Sequence, residues 1–325
     1  MRITRIDAFD TNFEECAADK KYKFEGSRGA GEKRIYVGND ERLLDDFFDL
    51  ENTESFFMLK RDLQNYLVEA KDEFFHPTQD YKNDLSVYYE ENVTNTNNIV
   101  EDVIKLHFTK KYDSQNRYYL NFKDDGYSSS NWYFLRNIAL PRVTKLNFVK
   151  IRDIDRNKIY IYIKPTFYID EREIEERIIF EELLKDNHET IENYRKGQAK
   201  WRKELLDIMP QCIITEVTEN RILQACHIKP HNHSLKDGKI NELYDINNGL
   251  IMTPTYHLLF DIGFISFEND GTIMISPFLS NLNKQRLQLK ENYKYNIPCD
   301  CSTYLEYHRN HVYIKLPDNL EFDID

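Results

Sequence analysis

The sequence predicts an α+β protein that folds as two domains. Its 325 residues are enough for two separate hydrophobic cores. Apolar residues recur at helical spacing from 41 to 75, whereas residues 118–167 contain β-rich runs separated by turn sequences. Farther along the chain, residues 221–261 combine two short strand patterns with one helix pattern. We therefore expect a mixed helix-and-strand domain before residue 170 and a second domain after it.

The first domain should begin with short strands at residues 2–9 and 34–37. Residues 41–75 predict one or two helices with an aromatic-rich buried face. The polar run at 94–98 is expected to precede another helix, at 99–108. After residue 170, a strongly charged segment predicts a helix that joins the two domains.

Four β-rich runs are predicted between these helical segments, at residues 118–122, 132–135, 143–151 and 159–167. The whole chain has a formal net charge of −12, yet residues 105–164 contain 13 Lys and Arg against 5 Asp and Glu. Uneven charge is the footprint of a nucleic-acid-binding surface, so a sheet in this segment is expected to contact phosphates and base edges. An ordinary antiparallel sheet with a charged exterior gives the same pattern, and both interpretations stay open. The basic residues concerned are Lys110, Lys111, Arg117, Lys123, Arg136, Arg142, Lys145, Arg152, Arg156 and Lys158.

Composition predicts a cytoplasmic protein with no membrane partner. No apolar run approaches the length of a membrane span, and the first residues lack an apolar signal core. The five cysteines are scattered, which fits a reducing compartment and argues against a disulfide framework.

The densest chemical signal lies between residues 223 and 261. Residues 221–228 have the pattern of a short strand that ends before Pro230. His227 therefore falls at a strand end, where a polar side chain can face a cleft. Residues 246–252 form an apolar run that predicts a second strand.

A helix is predicted directly after this second strand. Thr253 supplies an N-cap, Pro254 a first-turn proline, and Gly263 closes the helix. His257 and Asp261 lie four residues apart, so both side chains leave the same helix face and can share one cation. An imidazole and a carboxylate suit one divalent metal ion such as Mg, Mn, Ni or Zn.

This β-β-α segment resembles the HNH, or ββα-metal, endonuclease family. It contains Ala-x-His-Ile-x-Pro, then Asn-Gly-Leu, then His-x-x-x-Asp. Asn248 precedes His257 by nine residues, as in the similar nuclease domains of bacterial colicins. The resemblance implies that His227 is the general base and that Asn248 holds the loop of the base in place. It also implies that His257 and Asp261 are metal ligands.

Cys226 stands where the colicins have a metal-binding histidine. A thiolate at this position would prefer a softer metal such as zinc. A small buried residue at the end of a strand fits Cys226 equally well. Both interpretations of Cys226 stay open.

The resemblance extends upstream of the β-β-α segment. Arg195, Gln198 and Arg202 match the helix that introduces this branch of the family, and residues 212–215 resemble the strand that follows it. The resemblance implies DNA contacts for these three side chains. Lys229, in the loop after the base, is a further candidate for contact with the DNA backbone.

We hypothesise that the chain is a site-selective double-strand DNA endonuclease of the restriction type. Residues 1–170 would recognise DNA, residues 171–280 would form the HNH nuclease domain with its leading helix, and residues 281–325 would pack on it as an extension. The hypothesis allows a DNA methyltransferase as genetic partner and a homodimer as the assembly. The alternatives are a modification-dependent, homing or toxin-type HNH nuclease, or a DNA-binding protein with a decayed catalytic centre.

Overall fold

The computed structural model describes residues 3–26, 34–112, 115–122, 127–168, 188–298 and 300–316. These residues divide into two compact units, an amino-terminal unit (residues 3–168) and a carboxy-terminal unit (residues 188–316). Most of the charged helix expected after residue 170 lies outside the described residues. No helix in the described ranges is long and apolar enough to cross a membrane.

Two sheets organise the amino-terminal unit. Its strands are β1 (Ile3–Asn12), β2 (Arg34–Gly38), β3 (Thr53–Leu59), β4 (Val103–Leu106), β5 (Phe108–Tyr112), β6 (Tyr118–Phe122), β7 (Thr144–Asp153) and β8 (Lys158–Phe167). The larger sheet has the order β1-β7-β8-β3-β4, in which β3 and β8 are parallel and the other neighbours antiparallel. The smaller sheet has the antiparallel order β2-β6-β5.

Buried aromatic side chains hold helices against the larger sheet. The helices are α1 (Glu41–Phe48), α2 (Lys60–Glu69), α3 (Lys71–Phe75), α4 (Ser86–Asn97) and α5 (Tyr127–Ile138). Phe48 of α1 packs edge-to-face on Phe148 of β7, with ring centroids 5.4 Å apart. The hydroxyl groups of Tyr66 on α2 and Thr144 on β7 are hydrogen-bonded at 2.6 Å. Aromatic packing and a buried hydrogen bond thus fix two helices to the same strand.

Three secondary-structure predictions in this unit are wrong. Residues 53–59, expected to be helical, form β3, in which residues 55–59 are all buried. A strand covered on both faces reads as a continuous apolar run, which sequence periodicity does not distinguish from a helix. Residues 103–106, also expected to be helical, alternate between partly buried and buried positions and form β4. Residues 132–135, expected to be a strand, lie in α5, where Trp132 and Leu135 share the buried face.

The carboxy-terminal unit contains a strand pair, a hairpin and several helices. Its elements are α6 (His188–Ile208), β9 (Gln224–His227), α7 (His231–Lys236), β10 (Gly249–Met252), α8 (Pro254–Asp261), β11 (Ile265–Phe267), β12 (Ile273–Ile275), α9 (Asn281–Arg286) and α10 (Ser302–His311). β9 and β10 are antiparallel, with His227 opposite Gly249. β11 and β12 are antiparallel and form a hairpin around residues 269–271. Two short 3-10 turns, Ile240–Tyr244 and Ile246–Asn248, lie between α7 and β10.

The strand expected at residues 212–215 is replaced by a turn. Its geometry is set by Cys212, whose sulfur accepts backbone N–H groups from Thr215 at 3.3 Å and Thr253 at 3.4 Å. A side chain that binds nearby backbone groups competes with strand pairing, which explains the difference.

One hydrophobic core joins α6, the strand pair, α8, the hairpin and α10. Its largest buried members include Trp201, Leu205, Leu250, Phe260, Phe267 and Leu305. Helix α6 approaches β10 closely at Gly249, where an added Cβ would lie 2.5 Å from Leu205 Cδ1 and 2.7 Å from Trp201 Cζ2. Only glycine at this position allows the two elements to pack so closely.

The cysteines agree only in part with the sequence expectation. Cys16, Cys212 and Cys226 are not disulfide-bonded. Cys301 is disulfide-bonded, which the scattered cysteine pattern did not predict.

Candidate metal centre

The β-β-α pattern predicted around residues 221–261 is confirmed as β9, β10 and α8. Thr253 stands between β10 and α8 with extended backbone, and Pro254 occupies the first helical position. The fixed φ of proline and its missing N–H suit that position, so the local sequence explains where the helix begins. Helix α8 packs on β9, which brings helix side chains next to the strand that ends at His227.

Cys226, His257 and Asp261 form a cluster of three possible metal ligands. Their ligand atoms all lie within 4.8 Å of one another, and no second cluster of this kind occurs among the described residues. His257 Nε2 is 3.0 Å from Asp261 Oδ2, and the Cys226 thiol donates to Asp261 Oδ1 at 3.4 Å. His257 and Asp261, the two helix residues expected to bind a metal, thus lie beside Cys226, for which a metal-binding role and a packing role were both open.

Gln224 fixes the orientation of the His257 ring. Its Oε1 accepts a hydrogen bond from His257 Nδ1–H at 2.8 Å. With Nδ1 as the donor, a neutral His257 presents the lone pair of Nε2 toward the Asp261 carboxylate. Two acceptors 3.0 Å apart require a proton or a cation between them. The donor set of imidazole nitrogen, carboxylate oxygen and thiol sulfur fits a divalent transition metal, and catalytic zinc sites also use three protein ligands.

His227 lies directly after Cys226 at the end of β9. Its ring stacks on the Trp201 indole, and its Nε2–H donates to the Leu243 carbonyl oxygen at 3.1 Å. Nδ1 is therefore the nitrogen that can accept a proton. Burial lowers the pKa of His227 to about 4, although the hydrogen bond to the Leu243 carbonyl acts in the opposite direction. The imidazole is neutral at pH 7, the state that a proton acceptor needs.

Asn248 is fully buried and connects two backbone segments. Its Oδ1 accepts the Lys229 N–H at 2.7 Å, and its Nδ2 donates to the Glu242 carbonyl oxygen at 3.0 Å. These bonds hold the segment after His227 against the 3-10 turn at Ile240–Tyr244. The loop-holding role that the resemblance implied for Asn248 stays a prediction.

Lys229 and Arg202, expected to contact DNA, have structural partners instead. The Lys229 side chain is 3% exposed, and its Nζ lies 2.6 Å from Asp237 Oδ2 and 2.7 Å from Glu242 Oε2. Its ammonium group is thus directed into the protein rather than toward a phosphate. Arg202 Nη2 donates to the carbonyl oxygens of Asn220 and Leu223, which holds the segment that leads into β9.

The other two DNA candidates lie on α6. Gln198 is partly buried, and its Nε2 has no hydrogen-bond partner in the part of the chain that the structure describes. Arg195 belongs to α6, but its side chain lies outside what the structure describes.

Part of the basic surplus in residues 105–164 is used inside the amino-terminal unit. Arg136 donates to the carbonyl oxygens of Ala17 and Ala18, and Lys150 donates to that of Asp46. Lys158 forms an ion pair with Glu54 at 2.9 Å. Some of the donor groups of these basic side chains therefore bind other parts of the same unit.

Sequence reasoning assigned no role at this centre to Trp201 and Gln224. Gln224 precedes Cys226 by two positions on β9, so the two side chains share one face of the strand. The two-residue spacing between Gln224 and Cys226 could therefore have indicated from the sequence that Gln224 lies at this centre. Trp201 is 26 positions before His227, and no local pattern indicates their contact.

Residues 212–268 match a family model described as HNH endonuclease. The match covers 57 of the 325 residues, so it describes a domain rather than the whole chain. It includes Cys226, His227, His257 and Asp261. No curated protein matches the chain significantly. The carboxy-terminal unit therefore contains an HNH endonuclease domain, the mark of an enzyme that hydrolyses phosphodiester bonds in DNA.

Proposed function

We propose that the chain is a metal-dependent endonuclease that cuts double-stranded DNA at selected sites, as type II restriction enzymes do. One observation carries the proposal. Cys226 of the ligand cluster and the proton acceptor His227 are consecutive residues at the end of β9. A metal site and a general base therefore lie at the same strand end.

Cys226, His257 and Asp261 would hold one divalent metal ion. When bound, the ion polarises the scissile phosphate and stabilises negative charge on the leaving oxygen. The sulfur of Cys226 favours zinc or nickel over magnesium, whereas the carboxylate of Asp261 suits all of these ions. Gln224 would support the site by keeping the His257 ring in place.

His227 acts as the general base in the proposed reaction. Its Nδ1 takes a proton from the attacking water, whose oxygen forms a bond to phosphorus as the bond to the 3′ oxygen breaks. The leaving oxygen is protonated by solvent, which gives 5′-phosphate and 3′-hydroxyl ends. A general base contributes roughly a hundred- to ten-thousand-fold in rate. The stack with Trp201 and the bond to Leu243 hold the ring while it accepts the proton.

The choice of DNA site is assigned to residues 1–170 in this proposal. Residues 171–280 form the nuclease domain with its leading helix, and residues 281–325 complete it. A homodimer would bring two metal centres to the two DNA strands. A DNA methyltransferase, as genetic partner, would protect the host's own sites.

The test is a digestion of plasmid DNA by the purified full-length chain. The protein is freed of metal with a chelator and then supplied separately with Zn, Ni, Mn or Mg. Discrete bands from unmodified plasmid and no bands from methylated plasmid support the proposal, whereas a smear indicates a toxin-type nuclease. No cutting with any of the metals contradicts it. His311→Ala, which changes an exposed histidine outside the ligand cluster, is the control and should cut like the wild type.

A further inference from the structure

The amino-terminal unit contains a cleft between α4 and α5 that the proposed catalytic reaction does not use. Its volume is about 690 Å³, within the usual range of small-molecule sites. Residues at the carboxyl end of α4, at the end of β6 and along α5 line it. A cleft of this size in the unit assigned to DNA recognition requires an explanation.

Asparagine side chains whose amide groups are available for hydrogen bonding line this cleft. Asn95 and Asn98 come from α4 and its end, and Asn137 comes from α5. Within the described ranges, the side-chain amides of these three residues make no hydrogen bonds. Each amide offers both a donor and an acceptor, so the cleft can bind a ligand edge that carries both.

Arg136 supplies a rigidly held guanidinium to the same cleft. The residue is 4% exposed, and its Nε and Nη2 donate to the carbonyl oxygens of Ala17 and Ala18 at 2.8 and 3.0 Å. These two bonds fix the plane of the group. Its Nη1 makes no hydrogen bond to any residue that the structure describes. A guanidinium already fixed by the protein binds a ligand with little further loss of side-chain entropy.

Aromatic rings complete the lining. Tyr133 is 50% exposed at the cleft, Phe122 is partly buried, and Trp132 lies beneath them. The indole N–H of Trp132 is buried and has no acceptor among the described residues. Exposed and partly exposed rings provide flat surfaces on which a planar ligand can stack.

The charges of the lining select among possible ligands. Glu91 and Arg136 are its charged residues among those described, and their formal charges cancel. A phosphate would gain no net attraction from such a pair, and the amides disfavour a purely apolar ligand. A neutral, planar molecule with hydrogen-bonding edges fits the lining best. Nucleobases have this chemistry, since Asn pairs with adenine, Glu accepts from the cytosine amino group and Arg donates to guanine.

We infer that this cleft binds a single nucleobase extruded from duplex DNA. The inference rests on the proposed function and deepens it, because it places one step of site selection in the cleft. The base stacks on Tyr133, and its edge is bound by Asn95, Asn98 and Asn137. Extrusion requires unpairing and unstacking, which costs least for a base that has no partner. An unpaired base should therefore bind more tightly than a paired one.

The experiment measures binding of the full-length chain to duplexes without added metal. One set places A, C, G or T opposite an abasic residue, with randomised flanking pairs that cover the unknown recognition site. Two duplexes are the references: one is fully paired, and the other is abasic in both strands at the test position. The second reference is flexible there but offers no base. We expect at least one unpaired base to bind roughly tenfold more tightly than either reference.

Matched variants assign this preference to the cleft. Asn95→Ala and Tyr133→Ala should abolish it, so both variants should lose more affinity for the unpaired base than for the paired duplex. Asn97→Ala is the control on the same helix, because the Asn97 amide accepts from Gln64 and does not line the cleft. It should keep the full preference.

Three results would overturn the inference. One is equal binding of all unpaired bases and both references, and another is a preference that survives in Asn95→Ala and Tyr133→Ala. The third is tighter binding of free nucleoside monophosphates than of any unpaired base, which would assign the cleft to free nucleotides. Plasmid cleavage is measured in parallel. If the chain cuts DNA but shows no preference for an unpaired base, only the assignment of base binding to the cleft is refuted. If the chain neither cuts nor binds DNA, the proposed function is refuted as well.

Discussion

The rings of Trp201 and His227 stack with centroids 4.2 Å apart and planes 10° from parallel. Trp201 is itself fixed, because its Nε1–H donates to the Asp245 carbonyl oxygen at 3.0 Å. The orientation of the general-base candidate therefore depends on α6, which precedes the β-β-α segment. Gly249, opposite His227 on β10, allows α6 to come this close.

Gly249→Ala should displace Trp201 and so misorient His227. The added Cβ would lie 2.5 Å from Leu205 Cδ1, and such overpacking typically costs about 1–3 kcal/mol. We expect a lower urea midpoint and a single-turnover cleavage rate reduced by at least roughly tenfold, since misplaced groups lose catalysis steeply. In Gly238→Ala the added Cβ meets no atom within 4 Å, although its left-handed backbone is strained. This control should lose some stability but no cleavage rate, and equal rates for both variants would refute the argument.

His227→Ala should slow cleavage severely and leave DNA binding nearly unchanged. The imidazole acts on water and contributes little to ground-state affinity, whereas the rate should fall by roughly a hundred- to ten-thousand-fold. Single-turnover cleavage and a gel shift without metal measure the two effects separately. A loss of affinity comparable to the loss of rate would instead make His227 a DNA-binding residue.

Cys226→Ser should change the metal preference of the centre. Replacing sulfur with a harder oxygen should lower zinc affinity by at least roughly tenfold and affect manganese much less. Titration calorimetry with each metal measures this directly. Cys212→Ser is the matched control, because Cys212 is also fully buried but lies outside the ligand cluster. If Cys226→Ser leaves zinc affinity unchanged, Cys226 is a packing residue.

Acid should destabilise the carboxy-terminal unit through His308. Its Nδ1 accepts from the Ser266 hydroxyl, its Nε2–H donates to the Phe260 carbonyl, and burial lowers its pKa to about 3. Unfolding restores a pKa of about 6.5, so between pH 6.5 and 3 the unfolded chain binds the extra proton. Stability from this group is therefore constant above about pH 6.5 and falls below it by up to about 1.4 kcal/mol per pH unit.

Urea denaturation between pH 7.5 and 4.5 tests this linkage. His308→Gln should be less stable than the wild type at pH 7.5 but should lose less stability on acidification. Parallel pH dependences for the two proteins would show that His308 is not the group responsible.

Much of the candidate metal centre could be predicted because its signals are local. Pro254 at the first helical position marks the start of α8, and the helical repeat then places His257 and Asp261 on one face. The Trp201–His227 stack and the partners of Lys229 were beyond sequence reasoning, since they join residues through the fold. In the amino-terminal unit, β3 was mistaken for a helix because both of its faces are covered. Whether a strand is covered on one face or on both depends on tertiary packing, which sequence periodicity does not detect.

A fragment of residues 171–325 should fold, bind metal and cut DNA weakly without site preference. The hydrophobic core of the carboxy-terminal unit consists of residues between Trp201 and Leu305 and needs none from the amino-terminal unit. Circular dichroism, zinc titration and gel shifts with specific and scrambled duplexes test the three expectations. Fragment 1–170 should retain salt-sensitive DNA binding. Site preference in the carboxy-terminal fragment alone would move recognition to the nuclease domain.

The buried Lys229 ammonium also defines a place where the chain can be extended. Asp237 and Glu242 bind this group from either side of an exposed turn at Gly238 and Lys239. Because the base of the loop is closed by ion pairs, residues added at its tip need not disturb Asn248 or β9. A short insertion carrying a fluorescent label between Gly238 and Lys239 would thus place a probe in the segment that joins His227 to Asn248.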